Sequence, residues 1–159
     1  MSILAESGRI AVAEVIFSRT LHLAWGRGDG SWINPPSEAG SATALISEIA
    51  RRKAAIVQYV TPDPSGAIVL AEGTFSASIT PTRHVYVRVD FDYNEAIGEA
   101  IREIGLFSGT IVNPSLPTTQ QYFTPAQIVN PGRLIFLKNY APIPRLVGAR
   151  EWFEIVLSF

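Results

Sequence analysis

The sequence TRHVYVRVDFDYNEAIGEAIREIGLFSGTIV, residues 82–112, decides the fold because it contains two strand patterns separated by a break. Apolar side chains occupy alternate positions from Val85 to Tyr93, with His84 and other more polar residues between them. Successive side chains of a β-strand point to opposite faces, so this alternation predicts one row on a core and one row facing water or a partner.

A second strand is predicted at residues 101–107, after a loop or short helical turn at residues 94–99. Gly105 interrupts the side-chain pattern of that strand. A glycine inside a strand is typical of a bulge or of a close backbone approach. We therefore expect a specific neighbour to lie over Gly105.

The composition predicts one domain over residues 1–159, large enough to bury roughly two thirds of its unfolded surface. Hydrophobic residues make up 47% of the chain and charged residues 17%, which is below the roughly 25% usual for soluble domains. Some apolar surface is therefore expected to end in an interface. The formal net charge of −1 does not supply the clustered basic face that nucleic-acid binding requires, so no nucleic-acid partner is expected.

The composition also bears on location and on metal sites. The chain contains no cysteine, which excludes disulfides and thiolate metal ligands. Charged residues interrupt the N-terminal apolar residues, and no apolar run approaches the roughly eighteen residues needed to cross a bilayer. We therefore expect neither a secretory signal nor membrane insertion, and we expect synthesis in a cytoplasm.

Short strands joined by turns are predicted for most of the remaining chain. Helices are expected at residues 3–17, with Ser7 as N-cap, and at 42–52, whereas strands are expected at 20–25, 54–60, 67–75, 133–140 and 150–159. The strands at 54–60 and 67–75 are predicted to form a hairpin, and Pro142 and Pro144 to end the strand before them. Without a βαβ rhythm, the fold class is mainly β (α+β): an antiparallel sandwich or open barrel with one or two short helices packed on it.

A glycine-rich loop at residues 26–38 carries three candidate interface residues, Arg27, Asp29 and Trp32. Its glycines do not open into a helix, as a phosphate-binding loop requires, because two prolines follow. A tight turn in which Asp29 binds nearby backbone amides is favoured instead. Trp32 either packs on the core as a lid, which we favour, or anchors a contact.

Four further candidate interface residues lie outside that loop. Arg51 and Arg52 belong to the basic cluster, which a predicted helix C-terminus explains through the helix dipole; an electrostatic dock for an acidic neighbour is the alternative. Tyr122 and Phe123 follow the exposed excursion at residues 113–121.

We predict no catalytic, cofactor or metal site. His22 and His84 lie on different predicted strands, without a ligand partner at helical spacing. Asp90 and Asp92 share one face of the central strand, roughly 6 to 7 Å apart from the rise per residue. A calcium ion or a paired-carboxylate hydrolase would suit that geometry, but a solvated strand face is favoured. No serine lies in a nucleophile elbow.

Five segments in this order resemble one group of proteins: LAWGRGDGSW (23–32), ALISEIARRKAAIVQYVTPDPSGAIV (44–69), REIGLF (102–107), QQYFTPAQIVNPG (120–132) and EWFEIVLSF (151–159). The group comprises the N-terminal, virion-attached domains of bacteriophage tail fibres and the small baseplate proteins related to them. The resemblance implies a structural, non-enzymatic role in the virion tail or baseplate, or in a phage-derived contractile injection system. It also implies that the partners are other tail, baseplate and fibre proteins.

Three hypotheses about function follow. The favoured one is an adaptor that anchors fibres to the baseplate as a homo-oligomer or in several copies, with its loops at 26–38 and 113–121 contacting neighbours and no cofactor bound. The second is a receptor or glycan binder that uses Trp25, Trp32 and Tyr122, and the third is a hydrolase built on the two aspartates. No shaft repeat precedes Phe159, so a fibre base, a linker and a capping subunit all remain open.

Overall fold

β-Strands form most of the regular structure in the computed structural model, which describes residues 2–159. In chain order the elements are α1 (Glu6–Phe17), β1 (Leu21–Gly26), β2 (Glu48–Lys53), β3 (Ile56–Pro62), β4 (Ile68–Leu70), β5 (Gly73–Ser78), β6 (His84–Phe91), β7 (Ala100–Ser108), β8 (Ile111–Val112), β9 (Tyr122–Phe123), a 3-10 turn (Pro125–Gln127), β10 (Ile128–Asn130), β11 (Arg133–Pro144) and β12 (Glu151–Ser158). The predicted mainly β class with antiparallel sheets is confirmed.

The chain divides into two compact units. The first comprises the chain up to Arg19, Ala54–Val89 and Trp152–Phe159, and the second comprises Thr20–Lys53 and Asp90–Glu151. Each unit draws on segments that are distant in sequence. The single domain over residues 1–159 stays a prediction.

The first unit is built on a five-stranded sheet in the order β12-β6-β3-β5-β4. Its core packs Val60, Phe75 and Tyr86 together, with Ile68 and Val156 among the partly buried side chains around them. β6 lies between two strands, and Val85, Val87 and Val89 on its predicted apolar row are fully buried.

The first half of the other row of β6 is also buried, which differs from the prediction that this row faces water or a partner, whereas Arg88 and Asp90 farther along the row are half-buried. His84 and Tyr86 are both less than one tenth exposed. Their polar atoms find partners on β12, since the His84 ring nitrogen Nδ1 lies 2.7 Å from the Ser158 hydroxyl and the Tyr86 hydroxyl donates to Glu154 at 2.6 Å. Burial and the Glu154 carboxylate raise the pKa of Tyr86 to about 12.

The second unit contains a five-stranded antiparallel sheet, in the order β11-β7-β1-β2-β9, and the two-stranded sheet β10-β8. Ala24, Leu45 and Phe107 form a buried cluster in this unit, and Leu134 and Leu137 pack against it. β1 pairs with β2 and β7, and all six of its residues are buried.

Gly105 lies in β7 where neighbouring side chains approach the backbone closely. A Cβ atom at this position would lie 2.7 Å from Cδ1 of Leu134 and 2.9 Å from Cδ2 of Leu45. The predicted specific neighbour over Gly105 is therefore confirmed. It consists of two leucine side chains that fill the space a larger residue would occupy.

The helix predicted at residues 42–52 is wrong. Residues 48–53 instead form β2, which pairs with β1 on one side and with β9 on the other. Backbone pairing with two neighbours outweighs the local helical pattern. Because no helix ends there, the helix dipole does not explain the basic cluster.

Three local predictions also needed correction. α1 begins at Glu6, and its N-cap is Ala5 without a side-chain bond, so Ser7 does not cap it. β3 pairs with residues 75–78 of β5 on one side and with β6 on the other, and the shorter β4 pairs with β5 instead of closing the predicted hairpin. β11 continues through Pro142 to Pro144 because it is an edge strand, where a missing N–H leaves no ladder bond unmade.

Candidate interaction surface

Glu103, on β7, holds the glycine-rich loop of the second unit against the sheet. It is 1% exposed, and its carboxylate accepts hydrogen bonds from the backbone N–H groups of Gly28 (3.2 Å), Ile46 (3.0 Å) and Ser47 (2.9 Å). Three amide donors satisfy a buried charge that would otherwise be strongly unfavourable. One side chain therefore ties two separate loop segments to the sheet.

The loop at residues 26–38 is further held by contacts of its own residues. The Arg27 guanidinium forms a two-point pair with Glu99, with Nε donating at 2.7 Å. Asp29 accepts hydrogen bonds from the backbone N–H and the hydroxyl of Ser31, and these bonds lower the pKa of the Asp29 carboxyl. This geometry matches the predicted tight turn, in which Asp29 binds a nearby backbone amide.

Trp32 covers the backbone of Gly28. Gly28 has a positive φ of 58°, and a Cβ atom there would lie 2.7 Å from the Trp32 ring. Trp32 is half-buried, in agreement with the favoured prediction that it acts as a lid. The next residue, Ile33, is 81% exposed and is the large apolar side chain that this loop presents to solvent.

Arg51 and Arg52 point to opposite faces of β2. Arg51 is 2% exposed and its guanidinium donates to both carboxylate oxygens of Glu48 at 2.8 Å, to the Thr110 hydroxyl at 2.8 Å and to the Pro131 carbonyl at 2.8 Å. It also lies 4.1 Å above the ring of Phe107. All these partners belong to the second unit, so Arg51 ties its strands and loops together.

Arg52 forms an ion pair with Glu95, in the loop after β6. Burial raises the pKa of the Glu95 carboxyl. The hydrogen bond that Glu95 accepts from the backbone N–H of Asp92 opposes that shift. The fully buried guanidinium of Arg145 donates to the carbonyls of Asp92 (3.0 Å) and Glu95 (3.3 Å) and lies 5.0 Å above the Trp25 ring. Two arginines therefore fix one loop.

Tyr122 and Phe123, on β9, belong to an aromatic cluster beneath the sheet edge. Tyr122 packs edge-on against Trp25 and against Phe91, whose rings stack with centroids 3.6 Å apart. Phe123 is 4% exposed and makes an edge contact with His22. Burial, followed by the charges of Arg51 and Lys53, lowers the pKa of His22 to about 4.

The loop at residues 113–121 borders an open cavity of about 370 Å³. Ile111, Leu116 and two prolines supply much of its apolar wall, and Lys53 is the charged side chain in its lining. Asn113 fixes the start of the loop by accepting hydrogen bonds from the backbone N–H (3.0 Å) and hydroxyl (2.8 Å) of Ser115.

The predicted interface residues fall into two groups of the second unit. Arg27, Asp29 and Trp32 lie together on the first loop, whereas the remaining four lie on the paired strands β2 and β9: Arg51, Arg52, Tyr122 and Phe123. Arg51 and Phe123 are buried, so they support this surface from inside. Whether these residues form an interface stays a prediction.

The other two hypotheses lose residues that they require. Trp25 is 0% exposed, so its ring is not available to stack on a sugar. Asp92 lies beyond the end of β6 and accepts a hydrogen bond from the backbone N–H of Tyr93. Among residues 2–159, no group of three or more histidine, aspartate or glutamate side chains is placed to hold a metal ion. In the same part of the chain, no helix is long and apolar enough to span a membrane.

Sequence reasoning missed Glu103 and Arg145, the two buried charges that hold the loops. One signal was present for Glu103, which falls on the same side of its strand as Ile101, Gly105 and Phe107. A carboxylate among such residues predicts a buried charge with internal partners. Arg145 follows Pro144, and nothing in its local sequence indicates burial.

Comparison with curated protein sequences gives no match to this chain. One family model matches residues 1–159, and its description is baseplate wedge 3 tail fiber network component. The match covers the whole chain and agrees with the resemblance carried by the five segments. The chain therefore belongs to this family of structural, non-enzymatic phage baseplate proteins, and it is a component of the virion tail.

Proposed function

We propose that this protein joins tail fibres to the baseplate wedge through the loops at residues 26–38 and 113–121 of its second unit. Membership of a tail fiber network family implies contacts with other baseplate and fibre proteins. The proposal adds where those contacts lie and that the protein is present in several copies. Its partners are proteins, and neither nucleic acid nor a membrane is among them.

The observation that carries the proposal is that Glu103 immobilises the first loop before any partner arrives. Its three backbone hydrogen bonds fix the segments around Gly28 and Ile46. A loop that is ordered in advance loses little conformational entropy on binding, so more of the contact energy appears as affinity. Ile33 and Ile46, both mostly exposed, are the apolar side chains that this ordered surface offers.

The second loop supports the proposal in a different way, because it borders a cavity. A volume of about 370 Å³ admits a few side chains of a neighbouring protein, and the apolar wall favours aliphatic ones. Lys53 at the rim favours a carboxylate beside them. Ile111, which is more than half exposed, extends the apolar wall toward solvent.

The experiment replaces Ile33 by aspartate and measures incorporation of the protein into assembled baseplates. A charge at the centre of a desolvated contact is strongly unfavourable, so we expect incorporation to fall by about tenfold or more. Because Ile33 is 81% exposed, the unfolding midpoint of the isolated protein should not change.

The matched control is Ile79→Asp, which changes a fully exposed isoleucine of the first unit. It should assemble as the unmodified protein does. Normal incorporation of the Ile33→Asp variant would contradict the proposed role of the first loop. Equal losses for both variants would show that an added charge anywhere impairs assembly, and would also contradict it.

A further inference from the structure

The cavity beside residues 113–121 is lined by basic side chains and by no acidic ones. His22 of β1 and Lys53 of β2 both belong to its lining. Among the described residues that line the cavity, none is an aspartate or a glutamate. Ile111 and Leu116 contribute apolar wall. Such a cavity is complementary to a group that joins an aliphatic chain to a negative charge.

The strand register brings the two basic side chains together. His22 and Lys53 lie directly opposite each other in the pairing of β1 with β2. Opposed side chains of an antiparallel pair lie on the same face of the sheet, with Cβ atoms roughly 5 Å apart. His22 is 3% exposed, whereas Lys53 is exposed. The imidazole therefore lies deep in the cavity and the lysine side chain lies at its rim.

The His22 ring has hydrogen-bonding capacity that the chain does not use. Its Nδ1 atom is buried and has no hydrogen-bond partner within residues 2–159. The ring makes an edge contact with Phe123, which satisfies neither nitrogen. Nearly all buried polar atoms of native proteins have a partner. An unpartnered nitrogen in the wall of a cavity therefore indicates a group that enters from outside.

The ammonium of Lys53 is also left for an outside partner. No carboxylate of the described chain, residues 2–159, forms an ion pair with it. Its backbone N–H donates to the Gln121 carbonyl at 3.0 Å, which holds the residue at the cavity while its side chain stays exposed. Arg51 differs, because its guanidinium already donates to Glu48 and to Thr110.

We propose that this cavity binds an aspartate or glutamate side chain of a neighbouring baseplate or fibre protein, with Lys53 and His22 as the donors to its carboxylate. The charge complementarity of the cavity selects this occupant, and the aliphatic part of the incoming side chain packs on Ile111 and Leu116. The inference rests on the proposed function, which places a neighbouring protein at this loop. It adds the chemical group that the neighbour inserts.

Docking of a carboxylate is coupled to proton uptake by His22. In the free protein, burial and then the charges of Arg51 and Lys53 on β2 lower the pKa of His22 to about 4. The neighbours on β7 and β9 are the uncharged rings of Phe107 and Phe123. A carboxylate beside the ring raises its pKa, and a group whose pKa rises on binding takes up a proton. The affinity therefore increases as the pH is lowered.

Carbodiimide cross-linking of assembled particles tests the contact directly, because this reagent joins a lysine amine to a touching carboxylate without a spacer. We expect Lys53 to be joined to an aspartate or glutamate of a different protein, which mass spectrometry identifies. Lys53→Arg keeps a cation but lacks the reactive amine, so this cross-link should disappear. Particles that yield other cross-links but none from Lys53, or one from Lys53 to its own chain, would overturn the site.

Incorporation into baseplates in vitro measures the contribution of each donor. Lys53→Gln should raise the protein concentration needed for half-maximal incorporation by about fivefold. Lys138→Gln, which changes the other lysine of the chain, is the matched control and should have no effect. If the bound carboxylate returns the pKa of His22 to its ordinary 6.5, the affinity should be about tenfold higher at pH 5.5 than at pH 7.5. His22→Gln should remove this difference.

The outcomes separate this site from the proposed function. Lost incorporation of Ile33→Asp with equal behaviour of Lys53→Gln and Lys138→Gln would support the function and overturn the carboxylate site. Normal incorporation of Ile33→Asp with the expected Lys53 cross-link would contradict the role of the first loop and support the carboxylate site. An unchanged pH dependence in His22→Gln would overturn the role of His22.

Discussion

The second unit and α1 of the first unit distribute charge and apolar surface in opposite ways. The second unit buries Arg51, Glu103 and Arg145 and gives each of them partners within that unit. α1 leaves Val12 and Val15 exposed. The buried charges hold loops in place, whereas the exposed valines of α1 face solvent.

This difference distinguishes internal supports from surfaces that await a partner. A buried ion with several hydrogen bonds fixes the geometry of the segments it joins, and removing it leaves its partners unsatisfied. A contiguous exposed apolar stripe, in contrast, marks a surface that another molecule covers. Four measurements test whether the two regions behave in these different ways.

The largest effect is expected for Arg51→Met. The change leaves Glu48, the Thr110 hydroxyl and the Pro131 carbonyl without their shared donor, so the free energy of unfolding should fall by about 3–5 kcal/mol. Urea unfolding measures it. The control is Arg133→Met at an exposed position of β11, which should change stability by less than about 0.5 kcal/mol. Similar losses for both would contradict a special role for Arg51.

Glu103→Gln should lower the free energy of unfolding by about 2–3 kcal/mol. Glutamine keeps one acceptor oxygen, but its NH₂ group then points at a backbone N–H that needs an acceptor. Faster amide exchange at Gly28, Ile46 and Ser47 should accompany the loss. Glu72→Gln, at an exposed turn position, is the control. Unchanged exchange at the three amides in Glu103→Gln would contradict the role of Glu103 in holding the two loop segments.

Because of His22, the stability of the protein should decrease as the pH is lowered. Its folded-state pKa of about 4 lies below the ordinary value of 6.5, so the unfolded chain takes up the proton first as the pH decreases. Stability is therefore constant above pH 6.5 with respect to this group, and it falls by about 1 kcal/mol per pH unit below it, until the folded pKa is reached. A His22→Gln variant should lose this slope.

The measurement for His22 is urea unfolding of both proteins between pH 8 and pH 4. Glu95, whose pKa is raised in the folded state, contributes a slope of the opposite sign in its own range. That contribution is common to both proteins, so the difference between their curves isolates His22. Parallel curves across the window would mean that His22 is not held in its neutral form by burial.

The smallest effect on folding is expected for Val15→Ser. Because Val15 is more than half exposed, the free energy of unfolding of the monomer should change by no more than about 0.5 kcal/mol. Unfolding at a concentration low enough to give monomers measures it. A loss as large as that of Arg51→Met would place Val15 in the core and remove the contrast between the two regions.

Strand patterns were predictable where the sequence alternates over many residues. β6 and β7 lie where the alternation and Gly105 predicted them, because the side-chain period of a strand is a local property. The segment 42–52, which contains most of β2, was mistaken for a helix, since the spacing of Leu45, Ile46 and Ile49 and the pair Glu48 and Arg52 also fit helical periodicity. Pairing with β1 and β9 decided the matter, and these strands lie far away in sequence.

The candidate surface was predictable in part for the same reason. Glycines, prolines and Asp29 identify the first loop from local chemistry, and Trp32 fits its role as a lid. Glu103 was missed because its partners, Gly28 and Ser47, lie 75 and 56 residues away. Arg51 was assigned to solvent because its burial depends on Thr110 and Pro131, which are also distant.

The sequence by itself determined the mainly β class, the turns and the likeness to baseplate proteins, since strand alternation and turn chemistry act over a few residues. Tertiary structure alone decided which charges are internal and which apolar residues remain outside. The energy of a buried ion depends on the donors and acceptors that distant segments bring to it. The exposure of α1 likewise depends on which side of the helix its own sheet covers.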